Sequence, residues 1–433
     1  MMRHGLINEL ILYRNFKRQD ILDGFSRLFE IRSENKTDEE YRDLFFDMTN
    51  RLLKLSDDFG FSGNLWHCFL AYLLCNNENP FSCACEIRGR IEGSMNELAM
   101  HDFAIFRELF NADFAGLGET AGTDLSKVLT SYGAYAENGR TFNKRIRDRI
   151  CELAKRLAAT VSDEEFMDIV TGFYGDYGVG KFGLNKAFRL RVTEEHTEIE
   201  PIYNIRHVQL SDLVGYESAK KKLVENTEAF LEGKGANNCL LYGDAGTGKS
   251  SSIKAIANMY YDRGLRIIEV YKHQIASLND VVSQIKDRNY KFILYMDDLS
   301  FEEFEIEYKY LKALIEGGLE KKPGNILIYA TSNRRHLIRE NFRDKKERDE
   351  DLHINDTVQE KLSLSDRFGV SIYFGRPDKK EYHRIVLALA ERNGIMMDED
   401  ELLLKADQWE LNHTGKSGRA AEQFINYLKG ING

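Results

Sequence analysis

Proline is scarce in this chain, with four residues in 433, at Pro80, Pro201, Pro323 and Pro377. Because proline breaks helix interiors, so low a count fits a helix-rich protein and leaves no proline-rich tract. Long apolar runs are also missing. The longest clear one lies around residues 68–75, far short of the roughly 20 residues that span a bilayer. The opening Met1-Met2-Arg3-His4-Gly5 lacks an apolar segment followed by a small-residue cleavage site, so the expectation is a cytoplasmic protein without export or membrane attachment. Basic excess is absent too. The formal charge is −10, so non-specific wrapping of nucleic acid is not the default, although a local basic surface is compatible with it. No C-x-x-C pair occurs among the six cysteines, and Cys83-x-Cys85 lacks a second ligand pair at zinc spacing. Most of these cysteines sit on apolar helical or strand patterns, the signature of buried free thiols in a reducing compartment.

The 42% apolar and 30% charged content describes a globular chain, and its length predicts two or three domains. From Asp20 to about Asp176 the periodicity is helical, with amphipathic stretches at 41–55, 65–75, 83–110, 125–135 and 143–158. Thr37-Asp38-Glu39-Glu40 and Ser162-Asp163-Glu164-Glu165 read as capping boxes that open helices. Residues 192–207 resemble a linker. From Leu210 the grammar changes: β-branched apolar runs at 239–242, 265–270, 292–296, 326–331 and 370–374 alternate with helical segments, which predicts a doubly wound parallel sheet. After Pro377 the pattern returns to helices through Leu428, while residues 339–351 form a charged loop of both signs.

Gly243-Asp244-Ala245-Gly246-Thr247-Gly248-Lys249-Ser250 reads G-x-x-x-x-G-K-S, between a predicted strand and a predicted helix. Glycines let backbone N–H groups close around phosphate at the positive end of the following helix. Lys249 then reaches the terminal phosphates, and the Ser250 hydroxyl suits Mg²⁺. The strand 292–296 ends in Asp297-Asp298, where ligands bind in open α/β sheets. Asp297 suits the magnesium shell, and Asp298 a position from which water is activated. The strand 326–331 leads to Asn333, which can orient water or serve a turn. A second glycine motif, Gly178-Val179-Gly180-Lys181-Phe182-Gly183, has no strand before it and reads as a glycine-hinged loop.

Together these elements resemble an AAA+ ATPase. Further matches are Leu364-Ser365-Asp366-Arg367-Phe368-Gly369, similar to the arginine-finger segment, and Ser417-Gly418-Arg419-Ala420-Ala421, similar to the sensor 2 motif. Asp212-Leu213-Val214-Gly215-Tyr216 lies where AAA+ proteins contact adenine. More narrowly, Asp297-Asp298-Leu299-Ser300-Phe301-Glu302-Glu303 with Tyr329-Ala330-Thr331-Ser332-Asn333-Arg334-Arg335-His336-Leu337 resembles a bacterial AAA+ family catalogued as domain of unknown function 815. The resemblance covers about residues 200–430. It implies an N-terminal all-α domain (1–200), a five-stranded parallel P-loop core (201–376) and a C-terminal helical lid (377–433). ATP and Mg²⁺ would be held by residues 243–250 with Ser251, Val214 and Gly215, and the metal by Ser250 and Asp297. Lys249, Asp298, Asn333, Arg419 and, projected into a neighbouring subunit, Arg367 would carry catalysis. AAA+ proteins usually have Asp-Glu where this chain has Asp297-Asp298, so the water-activating group is Asp298, Glu302 or Glu303, or hydrolysis is slow.

The implied function is ATP hydrolysis in a homo-oligomer that remodels or loads a protein partner. A binding switch that scarcely turns over is the first alternative, and a small-molecule P-loop kinase the second, disfavoured because no acceptor pocket can be identified. Direct DNA binding is not favoured, since Asp344, Glu347 and 349–351 offset the charge of Arg334-Arg335 and Lys345-Lys346.

Overall fold

The computed structural model describes residues 5–34, 39–90, 92–133, 144–193, 196–203, 205, 208–302, 305–316, 323–334, 337, 364–412 and 415–432. The Thr37-Asp38 half of the first capping box, Glu303, Arg335, His336 and the charged run 339–351 with Lys345 and Lys346 lie outside these residues. The chain divides into two compact units, Met1–Asn185 and Lys186–Gly433.

The first unit is helical: α1 (Gln19–Ser33), α2 (Glu39–Phe59), α3 (Leu65–Asn76), α4 (Pro80–Arg88), α5 (Ser94–Phe110), α6 (Ala115–Thr120), α7 (Leu125–Thr130), α8 (Lys144–Ala158), α9 (Asp163–Tyr177) and α10 (Gly180–Leu184). The apolar run noted in the sequence becomes α3, whose side chains are buried on every face, as a helix apolar all round must be. Asn64 caps it by accepting the His67 N–H at 3.1 Å. Trp66 stacks on Phe114 with ring centroids 5.4 Å apart, and its Nε1 donates to the Leu109 carbonyl. The buried carboxylate of Asp102 accepts the N–H groups of Ile11, Leu12 and Tyr13, which fixes the N-terminal turn against α5.

The stretch 83–110, which periodicity joins into one helix, is two helices. Gly89 (φ 68°) ends α4 and Gly93 (φ 117°) precedes α5, conformations that admit glycine readily. At α9 the Ser162 hydroxyl accepts the Glu165 N–H, whereas Glu165 returns its bond to Val161 N–H rather than to the cap itself. The G-x-G-x-x-G sequence joins α9 to the short α10 and follows no strand, so its loop reading is amended to a helix junction. A Cβ on Gly180 would stand 1.9 Å from Glu78 Oε1, so close approach accounts for that glycine.

The second unit carries β1 (Ala187–Val192), β2 (Thr197–Pro201), α11 (Glu217–Leu231), β3 (Cys239–Gly243), α12 (Lys249–Tyr260), β4 (Leu265–Glu269), α13 (Leu278–Ile285), β5 (Lys291–Met296), α14 (Glu307–Glu316), β6 (Ile326–Ser332) and β7 (Val370–Phe374). The helices α15 (Lys379–Arg392), α16 (Glu399–Leu411) and α17 (Gly418–Asn432) complete it. The sheet has seven strands in the order β2-β1-β4-β5-β6-β3-β7, mostly parallel, in place of the five expected. The five runs read as strands are all present. The two additions come from the segment assigned to the helical domain and its linker: β1 runs parallel to β4, with Ala187 level with Ile267, and β2 returns antiparallel to β1. Their alternating burial left too weak a signal beside the continuous runs of β5 and β6, which are covered on both faces. The unit boundary therefore falls after Asn185 rather than at residue 200.

The three C-terminal helices bury a core of their own around Tyr382, Val386, Ala406, Phe424 and Ile425. Asp378, just after Pro377, caps α15 through the Glu381 N–H at 2.7 Å.

Candidate functional site

The turn between β3 and α12 is set by glycine. A Cβ on Gly243 (φ 132°) would lie 2.1 Å from the Phe374 carbonyl oxygen, so the tips of β3 and β7 can approach only without a side chain there. Asp244 N–H donates to that same carbonyl at 3.0 Å, and its carboxylate accepts the Arg376 N–H at 3.1 Å. Gly246 (φ 76°) and Gly248 (φ 93°) continue the turn in left-handed backbone. Lys249 begins α12 and folds back across the turn, donating to the carbonyls of Gly243 (2.8 Å) and Asp244 (2.6 Å) and to Asn333 Oδ1 (3.1 Å).

The acids at the end of β5 meet this turn. Ser250 Oγ donates to Asp297 Oδ1 at 2.6 Å, and Thr331 Oγ1 donates to the same oxygen at 2.6 Å. Thr331 Oγ1 also accepts the Asp298 N–H at 2.9 Å, so one hydroxyl of β6 ties both acids. Asp298 is a non-glycine residue at φ 49°, a strained conformation, and its Oδ1 accepts Asn333 Nδ2 at 2.7 Å. Asn333 thus joins Lys249 to Asp298 through the two ends of one amide.

Burial opposes ionisation of Asp297, but hydrogen bonds from Ser250 and Thr331 outweigh it and hold the carboxyl below its ordinary value. Burial pushes the Lys249 ammonium below its ordinary value, against the pull of Asp298, Asp244 and Asp297.

These groups line one cavity of ≈ 680 Å³, within the usual range of small-molecule sites. Its lining includes the polar Lys249, Ser250, Asp297, Asp298, Asn333 and Arg419 and the apolar Val208, Val214, Ile385 and Leu389. The first N–H groups of α12 have no acceptor within their own helix and carry its positive end, which suits an anion. Ser250 Oγ and the ionised Asp297 offer the hard oxygen ligands that Mg²⁺ takes. Cationic side chains, helix N–H groups, oxygen ligands and apolar side chains are therefore a set that fits a nucleoside triphosphate with its magnesium.

The residues singled out in the sequence do not all converge. Ala245, Gly246, Thr247, Gly248, Ser251 and Val214 line the cavity, whereas Gly243 and Asp244 form the base of the turn. Gly215 (φ 84°) lies beside Glu381 of α15 and contributes conformation rather than lining. Arg419, at the start of α17, lines the cavity, and its N–H donates to the Gly246 carbonyl at 3.2 Å. Arg367 lies outside this cavity and pairs with Glu316 of α14. Glu302 lies outside as well, so among the described residues the lining carboxylates are Asp212, Asp297, Asp298 and Glu422. The sequence reading gave no role to Thr331 or Arg392, and it quoted Tyr216, which also lines the cavity, only within the 212–216 segment. Thr331 was legible as the residue two before Asn333. Arg392, which donates to the carbonyls of Ser211 and Asp212, becomes visible only when α15 packs onto that segment.

Fold and turn together define an AAA+-like α/β protein, with β6 lying between the turn-bearing β3 and the acid-bearing β5. The chain belongs to the family described as "Protein of unknown function (DUF815)", whose model matches residues 183–432. The chain is also similar to the replication factor C large subunit of Staphylothermus marinus, 37% identical over 81 residues, which is 18% of each chain. Among solved structures it is similar to the Thermotoga maritima RuvB Holliday junction branch migration motor at 16% identity and a TM-score of 0.35. That likeness covers 51% of this chain and 64% of the RuvB chain, under two thirds of its length. A FIGL-1 AAA domain in complex with ADP gives 16% identity and a TM-score of 0.35 over 51% of this chain and 72% of that one. At such identity and TM-score these two likenesses add nothing to what the strand order shows. No described helix is long and apolar enough to cross a membrane.

Proposed function

We propose that the chain binds ATP with Mg²⁺ in this cavity and hydrolyses it as an AAA+ ATPase. The observation that carries the reading is the meeting of Lys249, Ser250 and Asp297 in one cavity, with Ser250 Oγ 2.6 Å from Asp297 Oδ1. In this reading Lys249 and the α12 N–H groups hold the phosphates, Ser250 and Asp297 hold the metal, and the apolar lining takes the base. Asp298, oriented by Asn333, accepts a proton from attacking water, and Arg419 stabilises charge that develops on the transferring phosphoryl group. The position of Arg367 outside the cavity of its own chain supports its use in a neighbouring copy, so that a homo-oligomer completes the site. The C-terminal helices then act as a lid. Through Arg419 and Arg392 they sense the nucleotide and pass its state to subunit geometry and to a protein partner being loaded or remodelled. Cytoplasmic location belongs to the same reading, and direct DNA binding does not.

A second reading, an ATP-dependent switch that scarcely turns over, is favoured by one observation. The short Asp298 side chain is already engaged by Asn333. Titration calorimetry with ATP and Mg²⁺ on the parent protein and Lys249→Ala tests the site. Loss of binding in the variant is expected, and unchanged affinity overturns the assignment. Phosphate release measured against protein concentration separates the readings: a rate that rises with self-association supports the ATPase, and none at any concentration supports the switch.

A further inference from the structure

We infer that Cys68 and Cys151 form a peroxide-reactive thiol pair that closes to a disulfide between α3 and α8. The two sulfurs lie 3.8 Å apart, although 83 residues separate them in sequence. Both also face the Ser62 carbonyl, at 3.6 Å from Cys68 and 3.9 Å from Cys151. A disulfide needs about 2 Å between sulfurs, so the gap to be closed is within reach of side-chain rotation on two helices already packed together.

The two thiols are unequal in the way such chemistry requires. Cys68 is 2% exposed in the core, whereas Cys151 is half-buried on the outer side of the pair. The contact with Cys68 Sγ, with the nearby Arg147 charge, holds the Cys151 thiol below its ordinary value against the opposing effect of burial. Burial has the opposite effect on Cys75 and Cys239, whose thiols are pushed well above their ordinary value. Cys151 is therefore the nucleophile and Cys68 the resolving thiol. The Cys151 thiolate attacks one oxygen of hydrogen peroxide, the O–O bond breaks, and the departing hydroxide leaves as water after taking a proton from solvent. The resulting sulfenic acid is attacked by Cys68 sulfur; the S–O bond breaks, and hydroxide leaves as water with the Cys68 proton. Two thiols lose two electrons, and one hydrogen peroxide becomes two waters. A dithiol reductant reverses the step by exchange.

This inference is independent of nucleotide. The test uses the full chain, reduced, desalted, exposed to a few equivalents of hydrogen peroxide and then trapped with N-ethylmaleimide. The expected result is an intact mass about 2 Da below that of the reduced protein before trapping. Two fewer maleimides should be added, the peptides bearing Cys68 and Cys151 should be linked, and dithiothreitol should reverse all of this. Sulfinic or sulfonic acid at Cys151 with Cys68 still labelled overturns the inference. So does a link from either residue to another cysteine, or full labelling of both after peroxide. Cys68→Ser should convert Cys151 to over-oxidised forms, and Cys75→Ser should leave the link unchanged. Mapping in the parent protein decides the question even if a variant does not fold.

Discussion

Thr331→Val removes one hydroxyl and nothing else of size, which makes it the sharpest probe of how the two acids are held. Thr331 is 1% exposed, and valine fills the same volume, so no cavity opens. Two bonds disappear: the donation to Asp297 Oδ1 at 2.6 Å and the acceptance of the Asp298 N–H at 2.9 Å. Asp297 keeps its bond from Ser250, and the Asp298 amide sits beside a cavity that admits water, so each loss falls toward the lower end of the usual 1–3 kcal/mol. The expected destabilisation is about 2 kcal/mol, measured by urea unfolding of the parent chain, Thr331→Val and Thr331→Ser. Serine keeps the hydroxyl and should lose about 1 kcal/mol or less.

The pH dependence has a fixed sign. Asp297 is held below its ordinary value, because the Ser250 and Thr331 bonds outweigh burial. Its contribution to stability is therefore present above the unfolded carboxyl value of about 4 and is lost as pH falls through the lower folded value. The gap between parent and valine variant should be widest near pH 7 and narrow below about pH 4. Freed from its pin, the strained turn at Asp298 relaxes, and under the proposed function turnover should fall by roughly a hundredfold. A valine variant as stable as the parent across this range, or a serine variant as damaged as valine, would refute the reasoning.

Other outcomes follow from the same geometry. Gly243→Ala should cost several kcal/mol or abolish soluble expression, because its Cβ would stand 2.1 Å from the Phe374 carbonyl; unfolding and solubility assays measure it. Arg367→Ala should leave ATP affinity unchanged in calorimetry and lower phosphate release by about a thousandfold, while Glu316→Ala, which removes its partner in the same chain, should spare turnover. Asp298→Glu should slow turnover rather than improve it. The added methylene carries the carboxylate past Asn333 Nδ2, which now meets it at 2.7 Å, and a faster variant in steady-state assays would contradict that.

Much of the glycine turn after β3 was legible because its geometry is written in consecutive residues. Gly243 to Ser250 contains its own geometry, and the apolar run before Asp297 marks a central strand whatever surrounds it. The five expected strands appear for the same reason, since a strand covered on both faces reads as an uninterrupted apolar run. β1 and β2 were missed because a sheet margin half open to solvent alternates weakly, and Val192 to Pro201 looks like a charged linker until Ala187 pairs level with Ile267. The helix break between Gly89 and Gly93 was missed because helical periodicity persists on either side of it. Arg392 was invisible because its place depends on how α15 packs onto the segment before α11, which no local pattern encodes.

The different partners of the two acids follow from strand register more than from their identity. In the parallel pairing of β5 with β6, Met296 is level with Ala330. The next residues along, Asp297 and Thr331, therefore emerge together at the mouth of the sheet. β3 is level with the same strand at Tyr242 and Ser332, which brings the glycine turn to that height. A slip of one residue between β5 and β6 would turn the Thr331 hydroxyl to the opposite face, since side chains alternate along a strand. Asp297 would then lose a donor and Asp298 the acceptor that holds its strained backbone. The burial of β6 along its whole length makes such a slip expensive, because the close-packed side chains on both covered faces would have to repack. The same apolar pairing that stabilises the sheet thereby fixes the relative height of a cationic turn, a carboxylate and a bridging amide.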